Sequence, residues 1–102
     1  MTTRSAVLVV DDDPNYRQMI VFIGQMWEIV VLEAGDCGQA LQILDREKNR
    51  IRLILLDYFM PGMEPKQCAA ALIAKAGAIP IILATAAVDP AVRAAEIGRA
   101  HV

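Results

Sequence analysis

Residues 6–14 read AVLVVDDDP, an apolar run that ends abruptly in three aspartates and a proline. A short run of Val, Leu and Ala without polar alternation is typical of a parallel strand covered on both faces. Aspartate directly before proline favours a helix start, because the carboxylate caps free N–H groups and proline suits the first turn. The stretch therefore predicts a buried strand, Ala6–Val10, followed at once by a helix capped by Asp13.

The same arrangement recurs along the chain. Three further apolar runs are predicted strands: Ile29–Leu32, Ile51–Leu56 and Ile79–Ala84. Between the strands, apolar residues recur at helical spacing, and three sets each lie on one face of a predicted helix: Tyr16, Met19, Ile20, Ile23 and Trp27; Cys37, Ala40, Leu41 and Leu44; and Cys68, Leu72 and Ile73. Residues suited to helix starts precede the later helices at Asp36, Pro65 and Asp89. Strands alternating with helices indicate right-handed βαβ units, so we expect one α/β domain, a doubly wound parallel sheet with helices on both faces.

Composition limits the functions that this segment can have. The chain has 102 residues, a formal net charge of -2 and no run of like charges beyond the three aspartates, which argues against direct binding of nucleic acid or anionic lipid. Its first apolar run is too short for a signal peptide or a membrane span, so we expect a soluble, cytoplasmic protein. Cys37 and Cys68 lack metal-ligand spacing, and we expect buried thiols without a disulfide.

Polar side chains stand at the carboxyl ends of three predicted strands. Asp11 and Asp12 follow the first, Asp57 closes the third, and Thr85 closes the fourth. Open α/β sheets bind ligands at this edge, and neighbouring strands lie about 4.8 Å apart, so the carboxylates should converge. Two carboxylates about 4 Å apart repel by about 4 kcal/mol at an effective dielectric near 20, which favours recruitment of a cation. Mg²⁺ prefers such oxygen ligands, and a carboxylate beside it can attack a phosphoryl group.

Simpler interpretations exist for each residue taken singly. An aspartate after a strand is often only a helix cap or a turn former, which is the interpretation we favour for Asp13. Thr85 alone is an ordinary β-branched strand residue. Asp57 is harder to explain in this way, because it ends a fully apolar run with a charge that must be solvated or paired. The combination of these residues favours a site.

Three blocks of sequence, in order and in register, resemble the signatures of the response-regulator receiver domain. They are VVDDDP at 9–14, LLDYFMPGM at 55–63 and PIILATA at 80–86. The resemblance covers residues 5–95 and implies a flavodoxin-like sheet of order 2-1-3-4-5. It also implies a two-component signalling switch that catalyses only its own phosphorylation and dephosphorylation, and is not otherwise an enzyme.

The resemblance assigns a role to each candidate residue. Asp57 would accept the phosphoryl group of a histidine kinase or phosphotransfer protein, and Thr85 would contact that group on activation. Asp12 would bind Mg²⁺ directly, Asp11 through water, and Asp57 and the backbone carbonyl of Phe59 would complete the protein ligands. An output domain or downstream partner would read the change through the region of the fourth helix.

The end of the chain departs from the receiver pattern. A fifth strand with its phosphoryl-contacting lysine and a fifth helix are absent from the sequence, and Glu64-Pro65 replaces the usual Asp-Gly. We expect an incomplete receiver domain at 1–95 and a non-native tail at 96–102, a heptapeptide that a widely used sequencing adapter can encode in frame. We also expect the fourth strand to be an open edge and the first helix to lose a neighbour, which favours dimers or aggregation.

Two other functions are compatible with parts of the pattern. A Mg²⁺-dependent phosphohydrolase of the haloacid-dehalogenase type places Asp-x-Asp after its first strand, which here would be Asp11 and Asp13, but Asn15 stands where that family expects Thr or Val. A non-phosphorylated pseudo-receiver would serve only as an interaction surface. Labelling of the Asp57→Asn variant by a phosphodonor separates the first of these from a receiver.

Overall fold

The computed structural model describes residues 4–57 and 65–84, which form strands and helices in strict alternation. The elements are, in chain order, β1 (Ala6–Val10), α1 (Pro14–Met26), β2 (Val30–Ala34), α2 (Cys37–Glu47), β3 (Ile51–Asp57), α3 (Pro65–Ala76) and β4 (Ile81–Ala84). All strand pairs are parallel, and the order across the sheet is β2-β1-β3-β4. The predicted α/β class and the first four places of the 2-1-3-4-5 order are confirmed.

Two strands begin later than the apolar runs predict, because their first residues complete the preceding helix. The N–H of Ile29 donates to the carbonyl of Gly24 at 2.8 Å, and the intervening Glu28 has a φ of 57°. The N–H of Ile79 likewise donates to a carbonyl at the end of the preceding helix, that of Ala76, at 3.3 Å. The carbonyl of Pro80 accepts a hydrogen bond from the N–H of Ile54. Because Pro80 itself has no N–H to donate to the sheet, β4 begins at Ile81.

The sheet carries its main core on the face covered by α2 and α3. Leu8, Val10, Ile54 and Leu56 are fully buried there. They meet residues of the two apolar helix faces that the periodicity predicts, namely Cys37, Ala40, Leu44, Cys68 and Leu72, with Leu41 partly buried against them. Ile73, which the sequence pattern groups with Cys68 and Leu72, is 58% exposed and so lies outside this core.

The two cysteines are bonded to each other, which corrects the expectation of free thiols. Cys37 and Cys68 form a disulfide with their Cα atoms 6.0 Å apart. Both are buried, as expected, so only the prediction of their oxidation state is wrong. The spacing of 31 residues gave no local indication of the pairing, which arises because the first turns of α2 and α3 lie side by side.

Helix α1 packs on the opposite face of the sheet. At Gly24 its backbone lies too close to β2 for any side chain to fit between them. A Cβ on Gly24 would lie 2.6 Å from Cγ2 of Val31, so the helix approaches β2 at a residue without a side chain. Met19 and Ile23 are 49% and 43% exposed, and Trp27 follows the helix as its C-cap and is 72% exposed. The apolar face of α1 is therefore only partly covered by the described residues.

Candidate functional site at the carboxyl edge of the sheet

The strand register places three aspartates, two directly after β1 and one at the end of β3, at one edge of the sheet. Val10 lies opposite Leu56, so the next residues in each chain segment, Asp11 and Asp57, are neighbours. One carboxylate oxygen from each of Asp11, Asp12 and Asp57 lies within 4.8 Å of the others. We call these three residues the acidic cluster. The structure thus brings together the carboxylates that the sequence predicts to converge.

Asp11 is the buried member of the acidic cluster, with 3% of its surface exposed. Its N–H donates to the carbonyl of Ala34 at 3.0 Å, which continues the β1–β2 pairing by one residue. Its carboxylate accepts from the N–H of Asp13 at 2.9 Å. Burial raises the pKa of the Asp11 carboxyl from 3.8 to about 6; the hydrogen bond from Asp13 opposes this rise, and the neighbouring charges, first Asp57, add to it.

Asp13 turns away from the acidic cluster to begin α1. Its side chain accepts a hydrogen bond from the N–H of Asn15 at 2.9 Å, and Pro14 occupies the first helical position. Asp13 is therefore the N-cap that the sequence predicts. Asp36 plays the same part for α2, where it accepts from the N–H of Gln39 at 2.8 Å.

The acidic cluster fits a small, hard cation. Three carboxylates within 4.8 Å bring together oxygen ligands of the type that Mg²⁺ prefers. Asp11 is buried, Asp57 is half-buried and Asp12 is exposed, so the cluster opens to solvent on the side of Asp12. Because Asp11 is buried beside other carboxylates, which raises its pKa, the protein alone compensates its charge poorly. A divalent cation would remove that penalty.

Two of the predicted site residues lie outside the described part of the chain. Thr85 directly follows the last residue of β4, and Ala84 of that strand lies opposite Asp57. Phe59 is two residues beyond Asp57. Their predicted roles at the phosphoryl group and the metal ion stay predictions.

Arg17 is a residue of the site that the sequence pattern did not reveal. It lies in α1, and its guanidinium donates to the backbone carbonyl of Asp11 at 2.6 Å and to Glu33 at 3.2 Å. Glu33 stands within the otherwise apolar strand β2. Glu33 is exposed, so the sequence offers no reason to expect a partner for it, and its pairing with Arg17 is visible only in the structure.

Comparison with known proteins identifies the family. The family model for the response regulator receiver domain matches residues 7–101. The chain belongs to this family. It is accordingly the receiver domain of a two-component response regulator, and the order of its sheet is the order expected of that fold.

Curated relatives are longer proteins that share this receiver domain. The DNA-binding response regulator MtrA of Mycolicibacterium smegmatis is 37% identical over 90 residues, which cover 86% of this chain and 37% of that protein. The positive alginate biosynthesis regulatory protein of Pseudomonas aeruginosa is 37% identical over 83 residues, covering 78% of this chain and 33% of that protein. The chain therefore spans about a third of the length of these relatives.

Solved receiver structures superpose closely on the chain. A response regulator receiver protein from Pseudomonas putida, 24% identical, has a TM-score of 0.78 over 100% of this chain and 84% of its own, which shows a shared fold. The chemotaxis protein CheY4 of Vibrio cholerae, 27% identical, has a TM-score of 0.75 over 96% of this chain and 80% of its own. A third structure, the response regulator TrrA of Thermotoga maritima in complex with Mg²⁺ and BeF, is 30% identical with a TM-score of 0.70, covering 81% of this chain and 70% of its own.

The helices that the structure describes are short. Within residues 4–57 and 65–84, no helix has both the length and the apolar character needed to cross a membrane.

Proposed function

We propose that this receiver domain is a phosphorylation switch in which Asp57 accepts a phosphoryl group beside a bound Mg²⁺ ion. The observation that carries the proposal is the convergence of three carboxylates, from two separate parts of the chain, within 4.8 Å at one edge of the sheet. The 30% identical Thermotoga receiver was solved with Mg²⁺ and BeF, which supports the same chemistry here.

Different residues of the site would bind the metal ion, accept the phosphoryl group and hydrogen-bond to it. Asp11, Asp12, Asp57 and the backbone carbonyl of Phe59 would hold the ion, which supplies positive charge to neutralise the transferring group. An oxygen of the Asp57 carboxylate attacks phosphorus, and the bond from phosphorus to the donor breaks. With a histidine donor, the leaving imidazole takes up a proton. The Thr85 hydroxyl would then donate to a phosphoryl oxygen.

The wider signalling role follows from this chemistry. Phosphorylation would shift a two-state equilibrium in the region after β4, which an output domain or a downstream partner reads. The donor would be a histidine kinase or a phosphotransfer protein in the cytoplasm. We expect no direct contact of this domain with nucleic acid, although one relative is named a DNA-binding response regulator and is much longer.

Labelling by a small phosphodonor tests the proposal. The chain and its Asp57→Asn variant are incubated with radiolabelled acetyl phosphate, with MgCl₂ or with EDTA. Asp45→Asn is the matched control, since Asp45 is an exposed carboxylate on α2 that pairs with Lys75 at 2.6 Å. We expect Mg²⁺-dependent labelling of the wild type and Asp45→Asn, and none of Asp57→Asn.

Two outcomes would contradict the proposal. Label retained by Asp57→Asn would place the acceptor elsewhere. A folded wild-type chain that takes up no label under any condition would make this domain an interaction module without phosphorylation.

A further inference from the structure

Arg17 connects the acidic cluster to two neighbouring elements of the fold. Its Nη1 donates to the backbone carbonyl of Asp11 at 2.6 Å, and its Nε donates to Oε1 of Glu33 at 3.2 Å. The Arg17 side chain is 19% exposed and that of Glu33 is 40% exposed, so the pair is partly shielded from water. One guanidinium thus joins α1, the end of β1 and β2.

The bond to Asp11 controls the direction of the next residue. The carbonyl of Asp11 and the N–H of Asp12 belong to one planar peptide unit, so fixing the oxygen fixes the plane from which Asp12 extends. Asp11 is already held by Ala34 through its N–H and by Asp13 through its carboxylate. The Arg17 bond adds a third constraint at this turn, just before the exposed Asp12.

Glu33 fixes the position of the guanidinium itself. In the sheet register Glu33 lies opposite Val9, and Val9 is two residues before Asp11 in the sequence. The planar guanidinium has donors at fixed angles, so the bond from Nε to Glu33 also orients Nη1.

We propose that Arg17, held by Glu33, is a positioning residue for the metal site. Through the Asp11 carbonyl it sets the orientation in which the Asp12 carboxylate can bind Mg²⁺ together with Asp11 and Asp57. This inference rests on the proposed function, because it concerns the same ion. It extends that function to a residue that touches neither the ion nor the phosphoryl group.

The chain offers a closely matched control in Arg50. Arg50 also donates through Nε to a backbone carbonyl, that of Arg4 at 3.1 Å, and through Nη1 to a carboxylate, that of Glu47 at 3.4 Å. Its side chain is 22% exposed. Arg50 directly precedes β3, at the end of the strand away from Asp57. Replacing Arg50 therefore removes the same kinds of bonds far from the acidic cluster.

The test measures the affinity for Mg²⁺ by titration calorimetry with MgCl₂, alongside the melting temperature. For Arg17→Met we expect a Kd weakened by roughly tenfold or more, as is typical when a residue supporting a metal ligand is lost. For Arg50→Met we expect a similar change in melting temperature and the wild-type Kd. Arg17→Lys should restore part of the affinity, because lysine keeps one donor but cannot hold both partners as a rigid fork.

Glu33→Gln provides a second, milder variant in case Arg17→Met fails to fold. It should weaken Mg²⁺ binding less than Arg17→Met, and the double variant should be no weaker than Arg17→Met alone, since both changes act through one contact. A wild-type Kd in Arg17→Met, or in Glu33→Gln if that alone folds, would overturn the inference. So would an equal loss of affinity in Arg17→Met and Arg50→Met, or a wild-type chain that binds no Mg²⁺.

Failure of the proposed function gives a different result. If Mg²⁺ binds with this pattern of affinities but Asp57 takes up no label, the positioning role of Arg17 stands and phosphorylation does not. If Asp57 is labelled and the Arg17 variants bind Mg²⁺ with the wild-type Kd, phosphorylation stands and the positioning role of Arg17 does not.

Discussion

The sulfur atoms of Cys37 and Cys68 join the first turn of α2 to the first turn of α3. Both cysteines are buried within the main core, beside residues such as Leu44 and Leu72. Disulfides are rare in proteins of the reducing cytosol. If this domain is cytoplasmic, as proposed above, we therefore expect reduced thiols in the cell and closure of the bond after purification in air.

Reduction of this disulfide should lower the stability of the purified chain. A bond that closes a loop of 31 residues stabilises by about 3–4 kcal/mol in the chain-entropy description. We expect a reductant to lower the melting temperature of the wild type and to leave that of Cys37→Ala unchanged. Thiol titration under denaturing conditions checks that both cysteines are oxidised before the reductant is added. Two reactive thiols in the air-oxidised protein would contradict the bond.

Replacing Asp11 by asparagine should stabilise the metal-free chain at neutral pH. The folded-state pKa of Asp11, about 6, lies above its ordinary value of 3.8, so folding binds a proton between these values. The penalty for its charge is absent below about pH 4 and is fully present above about pH 6. Asp11→Asn should therefore unfold with a free energy roughly 1–3 kcal/mol higher at pH 8, and the gain should vanish at pH 4.

Urea denaturation of both proteins in EDTA, across this pH range, provides the measurement. The difference in unfolding free energy should grow as the pH rises from 4 to 7. An equal difference at all pH values would show that the substitution acts through packing and not through the charge of Asp11.

Replacing Gly24 by alanine should destabilise the domain although alanine is the better helix former. The new Cβ would lie 2.6 Å from Cγ2 of Val31 and 2.9 Å from the carbonyl oxygen of Ile29, so the helix must move away from β2. Overpacking of this kind costs roughly 1–3 kcal/mol, which exceeds the helix-propensity gain of about 1 kcal/mol. Thermal denaturation should show a lower melting temperature.

Gly38→Ala is the control for this substitution. Gly38 lies in α2 and is exposed, and its added Cβ would meet only the Asp36 side chain, at 3.3 Å. We expect an unchanged or raised melting temperature, because the helix-propensity gain of about 1 kcal/mol is opposed only by this one contact. If Gly24→Ala and Gly38→Ala behave alike, the close approach of α1 to β2 is not a constraint on stability.

The apolar residues left open on α1 should make the 102-residue chain self-associate. Phe22, Met26 and Trp27 are 64%, 68% and 72% exposed, and β4 ends the sheet among the described residues. Contiguous apolar surface and an unpaired strand edge both favour association. Sedimentation at increasing protein concentration should show dimers or larger species. Phe22→Glu should reduce the association, whereas a cooperatively melting monomer at all concentrations would contradict the prediction.

The positions of the strands and the acidic cluster could be read from local sequence. An apolar run followed by aspartate and proline specifies β1 and the start of α1, because burial, capping and proline geometry each depend on a few adjacent residues. Parallel pairing then places every strand's carboxyl end at one edge. The convergence of Asp11, Asp12 and Asp57 follows from those two facts.

Contacts between different helices and strands could be identified only from the three-dimensional structure. The bond between Cys37 and Cys68, the clamp of Arg17 on Asp11 and the seating of Gly24 against Val31 each join elements whose spacing along the chain has no fixed period. Periodicity tells which side of a helix is apolar, but the rotation and the depth at which that helix packs depend on its neighbours. Ile23 and Trp27 stay exposed for this reason, since the described elements cover α1 only in part.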